Sequence, residues 1–149
     1  MKKKNNNLNS MTIESLVSLF LDKEEQTIKS LKKEKNNISK AIKEISKKIE
    51  SNGRVIYIGA GTSGRLGILD AVECKPTFNT DIFLGTIAGG ESAFFKAKEG
   101  SEDDKKLGIE DLKKLKVTKK DIVIGIAASG ETPYTISALQ YANKLGALT

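Results

Sequence analysis

No histidine occurs in the 149 residues. That excludes Ser-His-Asp and Cys-His triads, His-ligated zinc motifs and imidazole acid–base chemistry. The single cysteine, Cys74, excludes an internal disulfide and any Cys-x-x-Cys site, and fits a cytoplasmic protein. Proton chemistry then falls to carboxylates, Lys or Tyr. Aromatic residues make up 5% of the chain and are not interleaved with its basic residues, so no nucleic-acid partner is expected. No apolar run approaches the ~18 residues of a membrane span. No apolar stretch follows Met1-Lys2-Lys3-Lys4 as a secretory signal requires.

What is present is one domain's worth of sequence, 38% hydrophobic and 30% charged. The net charge of +6 is uneven: residues 1–50 carry 12 Lys and 7 acids, leaving the remainder nearly neutral. A basic face there could touch phosphodiesters, but it reads better as the solvated side of a helix. Residues 1–10 are expected to be a disordered leader. A helical arm is expected over residues 11–52. Ile13, Leu16, Val17, Phe20 and Leu21 fall at helical spacing, and Asp22-Lys23-Glu24-Glu25 reads as a capping box. A second stripe runs Ile28, Leu31, Ile38, Ile42, Ile45, Ile49, with a break expected at Asn36-Asn37 and an end at Asn52-Gly53. One apolar face on a charged helix has to cover something.

From residue 53 the pattern changes to α/β. Apolar runs at Arg54–Ile58, Ile82–Ile87 and Ile122–Ile126 alternate with helical segments around Arg65–Val72, Ser92–Lys98, Glu102–Leu115 and Tyr134–Lys144. Continuous apolar strands alternating with helices predict a parallel sheet covered on both faces. Ala147-Leu148-Thr149 reads as the start of a fourth strand, so residues 53–149 are expected to be an incomplete domain that continues in a longer chain.

Two strands lead into hydroxyl-rich loops. The first, Gly59-Ala60-Gly61-Thr62-Ser63-Gly64, matches G-x-G-x-x-G, but the acid of a dinucleotide site is not at the end of a second strand, and Gly-Lys-Ser/Thr of a Walker loop is missing. The second is Ala127-Ala128-Ser129-Gly130-Glu131-Thr132. Both face the carboxyl edge of the sheet, where ligands of open α/β sheets bind. Helix N-termini there favour phosphate, and Ser63, Ser129 and Thr132, with Thr62 and the Gly61 backbone, would add donors. The plainer alternative is that these hydroxyls are helix N-caps.

Tyr57–Ala71 with Glu73-Cys74 and Pro76-Thr77-Phe78, then Ile87–Glu91, Glu99–Asp104 and Gly125–Tyr134, resemble N-acetylmuramic acid 6-phosphate etherases in four blocks of the right order. The resemblance implies a three-layer sugar isomerase (SIS) domain and an etherase that releases D-lactate from a phosphorylated amino sugar. It implies no cofactor, no metal and a homodimer. It also implies catalytic roles for Glu73 as acid and Glu102 as base, and phosphate binding by Ser63, Ser129 and Thr132. Glu91 and Glu131, beside the glycine loops, are further candidates for sugar contact. Glu73, following an apolar helix, is expected to be the less solvated carboxyl group, which favours its protonated form. Without the resemblance, Glu102 reads as part of an acidic helix start with Asp103 and Asp104. Cys74 reads as a small buried side chain rather than a nucleophile. Four alternatives stay open: a non-catalytic SIS regulator like glucokinase regulatory protein, an inactive fragment of the etherase, a dinucleotide-binding domain, and, last, a SIS transcription regulator.

Overall fold

The structure is a computed structural model that describes residues 8–149. The first seven residues of the expected leader lie outside the described residues, and Leu8–Ser10 form a single 3-10 turn. The chain divides into two compact units, one through Ile42 and one from Lys43 to Thr149.

The first unit is helical. Helix α1 (Ile13–Lys33) starts at Thr12, whose Oγ1 accepts from the Ser15 N–H at 3.3 Å. The capping box expected at Asp22 is not used: α1 runs straight through it, and Glu25 pairs with Lys29 at 2.6 Å on the next turn. An N-cap matters only where the chain enters the helix, and Thr12 already supplies an acceptor for one of the orphan N–H donors there. The break falls at Glu34, two residues before the expected Asn36-Asn37, and α2 (Lys35–Glu50) follows. The apolar stripe is exposed, with Ile13 76% and Leu21 66% accessible.

Helix α2 ends in the second unit. Asn52 adopts a left-handed φ of +62°, and the Gly53 N–H returns to the Lys48 carbonyl at 2.8 Å. That pattern closes the helix with Asn, rather than Gly, in the left-handed position. Strands β1 (Val55–Gly59), β2 (Phe83–Ile87) and β3 (Ile122–Ile126) form a parallel sheet in the order β2-β1-β3. Leu148 bridges to Ile122 in parallel, where the fourth strand was expected to begin.

Helix α3 (Gly61–Phe78) covers one face of this sheet, and α6 (Pro133–Lys144), joined by α5 (Lys105–Lys114), covers the other. The three-layer α/β expectation is thus met. Ile56, Ile58 and Val123 meet Leu112 of α5 and Tyr134 and Ala138 of α6 in one core cluster, all essentially inaccessible. Burying a large aliphatic side chain contributes about 1.5–3 kcal/mol. Tyr134 keeps its hydroxyl by donating to Asp111 at 2.8 Å, and burial, with the Asp111 charge, holds it protonated.

At the amino edge of the sheet, Asp121 is a buried clamp with 3% of its side chain accessible. It accepts from Arg54 Nε and Nη2, both at 2.9 Å, and from the Thr118 N–H at 2.7 Å. Burial pushes its carboxyl up, but these donors outweigh that and bring it down to about 2. A carboxylate lowered on folding stabilises the fold above its unfolded value near 3.8, and loses that contribution as pH falls toward 2. Asp121→Asn is expected to cost about 2 kcal/mol at pH 7 and almost nothing near pH 2, measured by urea unfolding at both. An equal cost at the two pH values would contradict the clamp.

Candidate functional site

The carboxyl edge of the sheet holds a cleft of about 380 Å³. Its floor is set by close packing of β1 on α3. A Cβ on Gly64 would lie 2.6 Å from the Gly59 carbonyl oxygen and 2.7 Å from Ile87 Cγ1, so only glycine allows this approach. Gly61, at φ +55°, turns the chain from strand to helix in the left-handed region. The glycine loop is therefore the first turn of α3, which is longer than the expected Arg65–Val72. These are the glycine roles of a tight strand-to-helix turn.

Neither helix start at the cleft is closed by a side chain. Ala60 stands at the N-cap of α3 and has no hydroxyl, and the Thr132 side chain makes no capping bond to α6. The alternative in which the hydroxyls serve as N-caps does not hold at these positions. Ser129 Oγ accepts from the Glu131 N–H at 3.1 Å, an Ser/Thr turn that leaves its O–H proton free to donate. Ser63, Ser129 and Thr132 line one cleft together with Gly61. Uncapped amides plus three hydroxyls can bind an anion there.

Glu102 also lines the cleft and is half-buried. It sits in a 3-10 turn (Ser101–Asp103) preceding α5. The cap of α5 is Asp104, which accepts from the Lys106 and Leu107 N–H groups at 2.9 and 3.0 Å. Of the three neighbouring acids, one caps a helix and another faces the cleft.

Glu73 is placed differently. It is exposed on α3, ten residues beyond Ser63, or about 15 Å along the helix axis, and it is not among the cleft-lining residues. The buried face of α3 is Gly64, Gly67, Ala71 and Cys74, and Glu73 shares its face with exposed Leu66 and Leu69. The expectation that Glu73 is the less solvated of the pair is therefore reversed: Glu102 is. Thr62, Glu91 and Glu131 are exposed and also do not line the cleft. Cys74 is a buried thiol, pushed up by burial and then by Asp70, and so an inert packing group.

Sequence reasoning passed over Arg65 and Lys98. Arg65 Nε and Nη2 donate to the carbonyls of Phe94 and Ala93, both at 2.7 Å, across nearly thirty residues of sequence. These bonds tie α3 to the end of α4 (Ser92–Phe95), from which the chain runs on to Glu102. Lys98 lines the cleft and donates to the Gly89 carbonyl at 2.6 Å. No local pattern signals either contact. Among the described residues no group of three or more His, Cys, Asp or Glu side chains is placed to hold a metal ion, and no helix is long and apolar enough to cross a membrane.

A three-layer α/β domain with an anion-suited cleft at the strand tips is the class that this geometry defines. The comparisons agree: residues 37–143 match the family model of the glucokinase regulatory protein N-terminal SIS domain, and the chain belongs to that family. The resemblance to N-acetylmuramic acid 6-phosphate etherases also holds across the chain. A protein of that name from Francisella tularensis subsp. tularensis is 58% identical over 145 residues, 96% of this chain and 49% of its own. One from Francisella philomiragia is 54% identical, with 96% and 49% covered. One from Clostridium botulinum (strain Loch Maree) is 50% identical, with 96% and 48% covered. The chain spans about half the length of these curated relatives.

Arg65→Met removes both bonds to α4. It is expected to cost about 1.5–3 kcal/mol in urea unfolding and to speed amide exchange over residues 93–102. Unchanged exchange there would show that Arg65 does not hold the segment that carries Glu102.

Proposed function

We propose that the chain belongs to a phosphosugar etherase that cleaves the D-lactyl ether of N-acetylmuramic acid 6-phosphate. The observation that carries this reading is the cleft itself, where uncapped helix starts, three hydroxyls and one half-buried carboxylate converge. The names of the relatives support the substrate.

The phosphate sits against Ser63, Ser129 and Thr132 at the helix starts, where N–H dipoles favour it. In the open-chain sugar the C2 proton is α to the C1 aldehyde and so is acidic. Glu102 takes that proton. The electron pair forms the C2=C3 double bond, and the C3–O bond breaks. A protonated carboxyl group, Glu73, gives its proton to the departing lactyl oxygen. Water then adds across the double bond, hydroxyl to C3 and proton to C2. The products are N-acetylglucosamine 6-phosphate and D-lactate, as expected of a cytoplasmic enzyme of amino-sugar breakdown.

The distance of Glu73 from its own cleft makes a homodimer part of this reading. Glu73 shares an exposed α3 face with Leu66 and Leu69, 57% and 48% accessible. In a symmetric dimer that face brings Glu73 of one copy to the cleft of the other. The same distance also favours a second reading, a phosphosugar-binding regulator that needs no acid–base pair.

The test is D-lactate release. Glu102→Gln and Glu73→Gln are each expected to abolish release while sugar phosphate binding persists. Mixed and re-associated, the two variants should recover roughly a quarter of the activity, because half of the dimers regain one intact site. Phosphosugar binding without any lactate from the unaltered protein would favour the regulator. Normal turnover in Glu102→Gln would overturn the etherase reading.

A further inference from the structure

The proposed substrate carries two separate anionic groups, a phosphate on C6 and the lactyl carboxylate on the C3 oxygen. The hydroxyl cradle accounts for one. Among the described residues lining the cleft, two are cations, Arg65 and Lys98, and two are carboxylates, Glu99 and Glu102. A cleft with two carboxylates repels a second anionic group unless a cation stands beside it. Arg65 has its Nε and Nη2 directed to main-chain carbonyls. Lys98 uses one ammonium donor on the Gly89 carbonyl, and an ammonium has three.

The fold fixes which flank Lys98 occupies. Ser129 and Thr132 follow β3, Ser63 follows β1, and Gly89 follows β2. With the order β2-β1-β3, Lys98 stands on the β2 flank, two strand spacings or about 10 Å from the β3 tip. That sets Lys98 on the opposite flank of the cleft from the hydroxyls that follow β3. Its position is built in. Gly89 has φ +89°, and a Cβ there would lie 2.8 Å from Lys98 Cδ and 3.1 Å from Ser101 Oγ. The missing side chain is the space through which the lysine stem crosses the turn.

We infer that Lys98 is a specificity residue that pairs with the lactyl carboxylate, so that the cleft distinguishes the carboxylate-bearing sugar phosphate from its product. This rests on the phosphosugar reading above. Elimination separates the two anionic groups: the phosphate stays on the sugar, and the carboxylate leaves with lactate. A cation dedicated to the carboxylate therefore holds the substrate more tightly than the amino-sugar product.

Lys98 is exposed, so its replacement leaves the core untouched. The test compares titration calorimetry of Lys98→Met and Lys98→Arg, both in a Glu102→Gln background that stops turnover. The probes are N-acetylmuramic acid 6-phosphate and N-acetylglucosamine 6-phosphate. Lys98→Met should weaken the first about 10- to 100-fold and the second less than about 2-fold, and Lys98→Arg should keep most of the preference. Equal weakening of both probes would make Lys98 a phosphate contact and overturn the inference alone. No change for either probe would also overturn it. If the Glu102→Gln parent binds neither sugar phosphate, the phosphosugar reading falls and the inference with it.

Discussion

The site depends on how closely one helix can approach one strand. Gly59 and Gly64 bring the backbones of β1 and α3 together, and a Cβ on either would meet a main-chain atom within 3 Å. Gly85 of β2 repeats the device, with Ile68 of α3 where its side chain would be. This approach directs the first N–H groups of α3 over the tip of β1 and leaves Ser63 beside them. Without it the helix would stand off, and the hydroxyls after β1 and β3 would no longer face one space. Close packing and the uncapped helix start at the cleft thus have the same cause in this chain.

The two edges of the sheet treat their polar groups differently. At the amino edge, Asp121 gathers Arg54 and Thr118 into a fully bonded clamp. At the carboxyl edge, the starts of α3 and α6 have no side-chain cap. Leaving amide donors without a protein partner lowers stability slightly and gives a ligand something to bind. Polar groups that complete themselves hold the fold, and those left incomplete line the candidate site.

The strands were legible because each is a continuous apolar run between polar or glycine-rich segments, and β3 falls on Ile122–Ile126 as read. Helix limits were less legible. Asp22-Lys23-Glu24-Glu25 has the composition of a cap, yet Thr12 had already started the helix. In the cleft, the loops holding Ser63, Ser129 and Thr132 could be read because strand alternation sets them on one edge. Arg65 and Lys98 could not, because their partners lie in other segments: Phe94, 29 residues from Arg65, and Gly89, 9 residues from Lys98 across a turn. The exposure of Glu73 is a matter of helix phase, which a resemblance between motifs does not reveal.

The central claim is that the strand-tip cleft binds a phosphate carried by a sugar. Backbone amide shifts during titration with N-acetylglucosamine 6-phosphate, beside the unphosphorylated sugar, test it most directly. The account predicts saturable shifts gathered at residues 60–64 and 128–133 with the phosphorylated sugar and none with the other. Equal responses to both sugars, or shifts gathered away from these two turns, would contradict it.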